Sequence, residues 1–323
     1  MPLLLLASTL AVLLGAPVVI AQSPSIAAEQ PPVFRSAASL VSLNVSVTDP
    51  NGRHYVTDLA RADFAVFEDG VQQQVTFFES SQVPVDLILM LDTSSSMADK
   101  IQTVHLAAIN FLKTLRSVDR GAVITFSDGV QIVEGLTSDQ ARLEQAVLQT
   151  SARGGTALNN ALYVALRQFG GTTKESAVVR RRAIALLTDG EDTSSLVSFD
   201  DVVALARKAG VNIYTIALQT PPISGQTAHR VLSKSQYQLK TLSQESGAEA
   251  FFPEQIGELQ GVYAAIGQEL SSQYSLGYSP TNGRPDGRFR RISVRVVNRP
   301  ELKLRARAGY TADGDSSLDS IRR

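Results

Sequence analysis

Between residues 41 and 47 the chain alternates strictly: Val41, Leu43, Val45 and Val47 fall on one side, and Ser42, Asn44 and Ser46 on the other. That period of two predicts a strand with one buried face. Asp49-Pro50-Asn51-Gly52 supplies a turn after it. "DFAVFEDGVQQQVTFFES" predicts two more strands joined across Asp69-Gly70, a dipeptide suited to the positive φ angles of a tight hairpin. After about Val83 the pattern changes. "VPVDLILMLD" is continuously apolar, as in a parallel strand covered on both faces. "MADKIQTVHLAAINFLKTLRS" then places Ile101, Val104, Ala108, Phe111 and Leu115 on one helical face.

The same alternation of periods continues. "GAVITFSDGVQIVEGL" predicts a hairpin, "SDQARLEQAVLQT" a helix capped by Ser138, and "TALNNALYVALRQF" another helix. The strand "RRAIALLTDGED" follows, then the helix "FDDVVALARKAG" and the strand "VNIYTIAL". From Gln236 to Gln273 come a helix, the short strand "AEAFF" and a last helix ending near Glu269. Strands alternating with helices in this way define an α/β fold, a doubly wound and mostly parallel sheet over residues 83–273.

Beyond Gln273 the period of two returns in "QYSLGYSP", "RFRRISVRVVN" and "LKLRARAGY", with Ile292, Val294, Val296, Leu302 and Leu304 inward. The strands of residues 37–82 and of residues 274–311 are too few on either side for an independent sandwich. They point to one antiparallel β-sandwich into which the α/β domain is inserted, the alternative being two separate β appendages. Residues 22–36 have the composition of a solvated linker and residues 312–323 that of a disordered tail. The apolar stretch from Leu3 to Ile20, with small Val19 and Ala21 before Gln22, has the form of a signal peptide over residues 1–21. It lacks a basic start, so an uncleaved membrane anchor is the alternative. Either places the protein outside the cytoplasm, in a periplasm or the exterior.

Composition narrows the chemistry. Lys+Arg 30 against Asp+Glu 31 leaves a net charge of -1, no footprint for nucleic acid. With Cys 0 and His 3 in 323 residues, thiol nucleophiles, disulfides, thiolate metal sites and a histidine-rich zinc site drop out.

Ligand sites of open parallel sheets lie beyond the carboxyl ends of the strands. Two aspartates arrive there, Asp92 after "LILML" and Asp189 after "AIALLT". Asp92 opens "DTSSS", and Gly154-Gly155 brings Thr156 to a helix start. Two carboxylates with the hydroxyls of Ser94, Ser96 and Thr156 form a hard oxygen set suited to Mg²⁺ or Mn²⁺. Neutral hydroxyls leave room for an incoming acid. A metal-dependent hydrolase using Asp92 and Asp189 is the other reading, but neither a Gly-x-Ser-x-Gly elbow nor a phosphate loop is present.

Asp92-x-Ser94-x-Ser96, Thr156 in "GGT" and Asp189 in "TDG" together resemble the metal-ion-dependent adhesion site of the von Willebrand factor type A domain, in order and on the expected elements. The flanking β segments look like those of secreted bacterial proteins of this type. The resemblance implies that Ser94 and Ser96 bind the ion directly, and that Thr156 joins or leaves as the site changes state. It implies that Asp92 and Asp189 act directly or through water, and that a partner protein's acidic residue fills the open position. The implied function is non-catalytic adhesion.

Neighbouring residues have plainer expectations. Thr93 and Ser95 are expected to cap the following helix, Glu191 and Asp192 to be solvated loop acids or helix-start charges, and His105 to pack beside the apolar helix face. Asp128 is expected to serve its hairpin turn, and Arg295, Lys303, Arg305 and Arg307 to form a solvated basic face, the alternative being a docking row for an acidic surface.

Overall fold

A computed structural model describes residues 40–80, 83–171, 179–218 and 232–312; the expected signal peptide, the linker and the tail beyond Ala312 lie outside the described residues. Strand β1 (Val41–Thr48) buries Val41, Leu43, Val45 and Val47 as its alternation requires. Strands β2 (Phe64–Glu68) and β3 (Val71–Gln73) form the expected hairpin, with Asp69 at φ 47° and Gly70 at φ 84°. The second expected strand, however, is two. At Gln74 the chain leaves β3 and begins β4 (Val75–Ser80), which belongs to a different sheet.

The α/β part then follows. β5 (Val85–Asp92), β6 (Arg120–Phe126), β7 (Val130–Thr137), β8 (Arg181–Thr188), β9 (Asn212–Ala217) and β10 (Ala250–Phe251) form one sheet in the order β10-β9-β8-β5-β6-β7. Its neighbours are parallel except for β7, which returns antiparallel from β6 as an edge hairpin. All eight residues of β5 are buried, and they divide between two layers. Val85, Leu87, Leu89 and Leu91 pack with α1 (Ile101–Leu112), α2 (Gln140–Leu148) and α6 (Leu259–Ser272). Ile88 and Met90 pack with α3 (Leu158–Gly171), α4 (Phe199–Ala209) and α5 (Lys234–Ser246). The continuous apolar run is thus two interleaved period-two patterns. Asp139, rather than Ser138, caps α2, accepting from the backbone N–H groups of Ala141 and Arg142 at 3.0 and 3.2 Å.

After α6 the chain returns to the N-terminal strands. β11 (Tyr274–Tyr278) inserts between β1 and β4, and β12 (Phe289–Val296) pairs with β2. The last predicted strand also divides: β13 (Lys303–Arg305) joins β1, and β14 (Gly309–Thr311) joins β12. The two four-stranded sheets, β13-β1-β11-β4 and β14-β12-β2-β3, share one core that includes Leu43, Val45, Phe64, Val66, Tyr274 and Ile292. Between β13 and β14 the backbone crosses directly over Gly247 at the end of α5, where a Cβ would meet Ala306 and Arg307. Gly247 also sits at φ 81°, a conformation that favours glycine.

A buried polar cluster joins the sandwich to the α/β part. Glu269 on α6, 1% exposed, accepts from Ser46 Oγ at 2.7 Å and Tyr55 Oη at 3.2 Å, and it pairs with Arg305. Gln273 donates to Tyr214 Oη at 3.0 Å and Ser46 Oγ at 3.2 Å. Beside them Asn44 donates to Asn212 at 2.6 Å. The basic row expected from strand phase therefore breaks up. Arg305 is turned onto Glu269 and Glu249, and Arg307 is half-buried; Arg295 stays exposed above the Phe67 ring, and Lys303 is exposed.

Removing one partner of a buried ion pair leaves the other uncompensated. Glu269→Ala is expected to cost about 3 kcal/mol in urea unfolding. Glu249→Ala, at the exposed end of the same arginine, should cost under about 1 kcal/mol. Equal losses would remove Glu269 from its joining role.

Candidate functional site

β6 lies on one side of β5 and β8 on the other, so the chain reverses its direction of winding between β5 and β8. Crevices of this kind open at the carboxyl strand ends. Asp92 is the last residue of β5 and is 0% exposed. Its Oδ1 accepts from the Ser94 backbone N–H at 2.9 Å and its Oδ2 from Thr188 Oγ1 at 2.6 Å. Burial pushes the Asp92 carboxyl up; the hydrogen bonds from Ser94 and Thr188 act against this, and the charge of Asp189 adds to it. The same strand carries a second buried aspartate, Asp86, at its other end. Asp86 is held by two guanidiniums, Arg120 at 2.7 Å and Arg180 at 2.6 Å. Among the described residues Asp92 has no cationic partner, only N–H and O–H donors.

From Asp92 a line of oxygens runs outward. Ser94 Oγ lies 3.1 Å from Ser96 Oγ, and Ser96 Oγ donates to Asp189 Oδ1 at 2.7 Å. The other oxygen of Asp189 meets the Lys100 ammonium, which also donates to the Ser96 carbonyl at 2.8 Å. Thr156 is buried, its hydroxyl facing Gly190 beside Asp189. Asp92, Ser94, Ser96 and Asp189 are thus linked by direct contacts, with Thr156 adjoining Gly190.

The loops bearing these residues are tied to one another by backbone. Thr93 N–H and Oγ1 donate to the Phe126 carbonyl at 2.8 and 3.1 Å, Ser95 N–H donates to Gly154 O at 3.0 Å, and Arg153 N–H donates to Thr93 O at 2.7 Å. Thr93 and Ser95 are therefore loop ties rather than helix caps; the N-cap position of the short 3-10 turn falls on Ser94, with no side-chain cap bond. Asp128 does more than form its turn. Its carboxylate accepts from Gly155 N–H at 2.6 Å and fills the space a Cβ on Gly154 would take; Gly154 sits at φ 77°. Asp192 follows the second of its two expected readings, a charge at a helix start. It accepts from Leu158 N–H at the start of α3, from Asn159 Nδ2 at 2.7 Å and from Ser195 N–H. Thr193 and Ser194 N–H groups close onto the Thr156 carbonyl at 2.9 and 3.2 Å. Glu191 is exposed, as expected. His105 is half-buried, with Nε2 2.7 Å from Thr150 Oγ1, and burial lowers its pKa.

Sequence reasoning missed Lys100, Thr188 and the ties that Asp128 and Asp192 make to neighbouring loops. Two signals were available. Thr188 immediately precedes Asp189, and Lys100 stands one helical turn after Ser96. Beside the line of oxygens lies a polar groove of about 540 Å³, lined by Thr93, Ser127, Asp128, Gln131, Thr150 and Arg153 among others.

The donor set fits a hard divalent cation. Carboxylate and hydroxyl oxygens dominate it, one carboxylate is buried without a protein cation, and no thiol or imidazole adjoins it. Among the described residues no cluster of three His, Cys, Asp or Glu side chains could hold a metal by itself, so hydroxyls must complete any coordination here.

The profile of the von Willebrand factor type A domain matches residues 86–265. No curated protein matches the chain. Among solved structures, a von Willebrand factor type A protein from Catenulispora acidiphila superposes with TM-score 0.50 at 15% identity, covering 87% of this chain and 65% of that one. Proximal thread matrix protein 1 of the mussel byssus, solved with a zinc-occupied MIDAS motif, gives TM-score 0.50 at 19% identity, covering 63% of this chain and 49% of its own. The von Willebrand factor domain of the type V pili tip protein Mfa5 from Porphyromonas gingivalis gives 0.44 at 12%, covering 58% and 94%. This chain therefore spans about half the length of the mussel protein, and identities this low speak for the fold.

The tie from Asp128 to Gly155 generates a prediction. Asp128→Ala should speed hydrogen exchange at the Gly155 amide and cost about 1 kcal/mol in urea unfolding, the worth of a hydrogen bond to a charged acceptor that is partly open to solvent. Unchanged exchange at Gly155 would show that the loop is held by its backbone bonds alone.

Proposed function

The chain belongs to the von Willebrand factor type A domain family, and from that premise we propose that it is a non-catalytic, metal-dependent protein-binding module. Asp92, Ser94, Ser96, Thr156 and Asp189 would hold Mg²⁺ or Mn²⁺, and a partner protein would present the carboxylate it recognises. A divalent cation bound there supplies one acidic coordination position for an anionic oxygen. The protein would be exported, a reading supported by the apolar stretch from Leu3 to Ile20. Among the described residues no helix is long and apolar enough to cross a membrane.

The observation that carries the reading is the contrast within β5. Asp86 is neutralised by two arginines, whereas Asp92 is equally buried and is met only by neutral donors. A buried carboxylate is costly unless paired with a cation. Support also comes from the family, whose domains generally mediate protein–protein interactions and commonly bind a divalent metal. In this division of labour Asp92 supplies buried negative charge and fixes the turn through the Ser94 N–H. Ser94 and Ser96 offer oxygens two residues apart. Asp189 joins the second loop through Ser96, and Thr156 is presented from a third loop whose backbone Thr193 and Ser194 hold. Neutral hydroxyls leave the net charge of the cluster low enough to admit a partner's acid. The polar groove beside it would accept the residues flanking that acid.

Calorimetry tests the metal first. One Mg²⁺ or Mn²⁺ site of modest affinity is expected in the wild type and none in Asp92→Ala, with the circular dichroism of the two proteins alike. A single tight zinc site without magnesium binding would overturn the reading. Proteins retained on the immobilised chain should be released by chelator and should not be retained by Asp92→Ala. Retention by folded Asp92→Ala in chelator would place the contact elsewhere.

Lys100 gives an independent prediction. Its ammonium neutralises Asp189, so it competes with any cation for that carboxylate. Lys100→Met should tighten Mg²⁺ binding several-fold, about 1 kcal/mol. Weaker binding in Lys100→Met would make the lysine a support for the site instead of a competitor.

A further inference from the structure

Away from the carboxyl ends of the parallel strands, a second cavity of about 370 Å³ lies between the end of α4, the start of β1, the loop after β11 and the β13–β14 segment. That volume falls in the range of small-molecule sites, roughly 300–1,000 Å³. Three cationic side chains line it, Lys208, Arg284 and Arg307, and no acidic residue does. Its remaining wall includes Pro280, Pro285 and Tyr310.

Arg307 differs from the arginines that are held by acids. Arg120 and Arg180 share Asp86, Arg116 pairs with Asp119, Arg290 with Asp286, and Arg305 with Glu249 and Glu269. The Arg307 guanidinium lies 5.6 Å from the Tyr310 ring centroid and beside Gly210 at the C-terminus of α4. Among the described residues it meets no carboxylate and no hydrogen-bond acceptor, and its Nε is buried without a partner. The ring face and the helix C-terminus lower the cost of the charge, yet neither accepts a hydrogen bond from it. Burial lowers the pKa of Arg307; only the phenols of Tyr278 and Tyr310 oppose that shift. The hydroxyls of Tyr278 and Tyr310 both point to Glu68, at 2.7 and 3.1 Å.

We propose that this cavity binds a small organic anion, whose carboxylate or phosphate group takes the Arg307 guanidinium as its principal partner. Arg284 stands along the same wall to add charge, and the prolines and Tyr310 offer apolar surface to the body of the ligand. A guanidinium fork matches either oxyanion through two parallel N–H···O bonds. The site is separate from Asp92 and Asp189 and needs no metal.

The test titrates the full chain in metal-free, low-salt buffer with inorganic phosphate in one arm and succinate in the other. At least one should bind below about 10 mM and raise the thermal midpoint, since a ligand that prefers the folded state stabilises it. Arg307→Met should lose that shift entirely. Arg284→Ala, an exposed position whose substitution leaves packing intact, should weaken binding several-fold and keeps the test open if Arg307→Met does not fold. Stronger binding of phosphate would assign the phosphate class, and of succinate the carboxylate class. No binding of either probe, or equal binding by wild type, Arg307→Met and Arg284→Ala, would overturn the proposal.

Discussion

Placing the Asp92 carboxylate, 0% exposed, at the end of a fully buried strand constrains everything around it. A charge removed from water must be met by donors, and here they come from two directions. The Ser94 N–H arrives from the turn that follows, Thr188 Oγ1 from the neighbouring strand, and the Ser94–Ser96–Asp189 line carries polarity outward. This explains why a strand of aliphatic residues ends in a run of hydroxyls. The turn has to be small, polar and locked in register, and Thr93 locks it by bonding twice to Phe126 at the end of β6. The Gly154-Gly155 loop closes on it through the Ser95 and Arg153 N–H groups, and the Asp189–Ser195 loop closes on the Thr156 carbonyl and reaches the turn through Asp189 and Ser96. Site geometry is thus a consequence of satisfying buried polar groups.

The sandwich is fastened at the other edge of the parallel sheet. β4 ends at Ser80 and β5 begins at Val85, so the chain enters the sheet from the sandwich side. Asn212, the first residue of β9, bonds Asn44, and Glu269 near the end of α6 bonds Ser46 and Arg305. Attachment through the amino ends leaves the carboxyl ends, with Asp92 and the polar groove, clear of the sandwich. Because β1 and β2 pair with strands that follow α6, the two ends of the α/β part are clamped by one hydrophobic core.

Much of this was legible in the residues. Period-two stretches marked the sandwich strands, the apolar run marked β5, and the oxygen-bearing residues pointed to the place where Asp92, Ser94, Ser96 and Asp189 come into contact. What escaped reading depends on tertiary contact. Glu269 stands between Gln268 and Leu270 on the same face as Ile266, and its local sequence gives no sign of its partners. Its burial is decided by Ser46, 223 residues away. Asp128 and Asp192 occupy turns where aspartate is ordinary, so their service to Gly155 and to the start of α3 could not be told from turn formation. The splits at Gln74 and between Arg305 and Gly309 were missed because both halves keep an extended backbone while changing sheets.

The fate of the last basic residues shows why strand phase fails there. Phase assigns Lys303, Arg305 and Arg307 to one outward face only if the strand continues. It does not: β13 ends at Arg305, the backbone crosses Gly247, and β14 begins at Gly309. Arg305, still in the strand, reaches across to α6, where Glu269 more than offsets the burial of its charge. Arg307 lies in the crossing, where the local backbone directs its side chain beside α4 and Tyr310, away from any acid. A row of four like charges in sequence therefore resolves into an exposed ring contact at Arg295, an exposed lysine, a buried ion pair and a counter-ion-poor cavity. Two of the four, Arg295 and Lys303, stay exposed while Arg305 and Arg307 are drawn towards the fold, so no continuous basic row remains on this face.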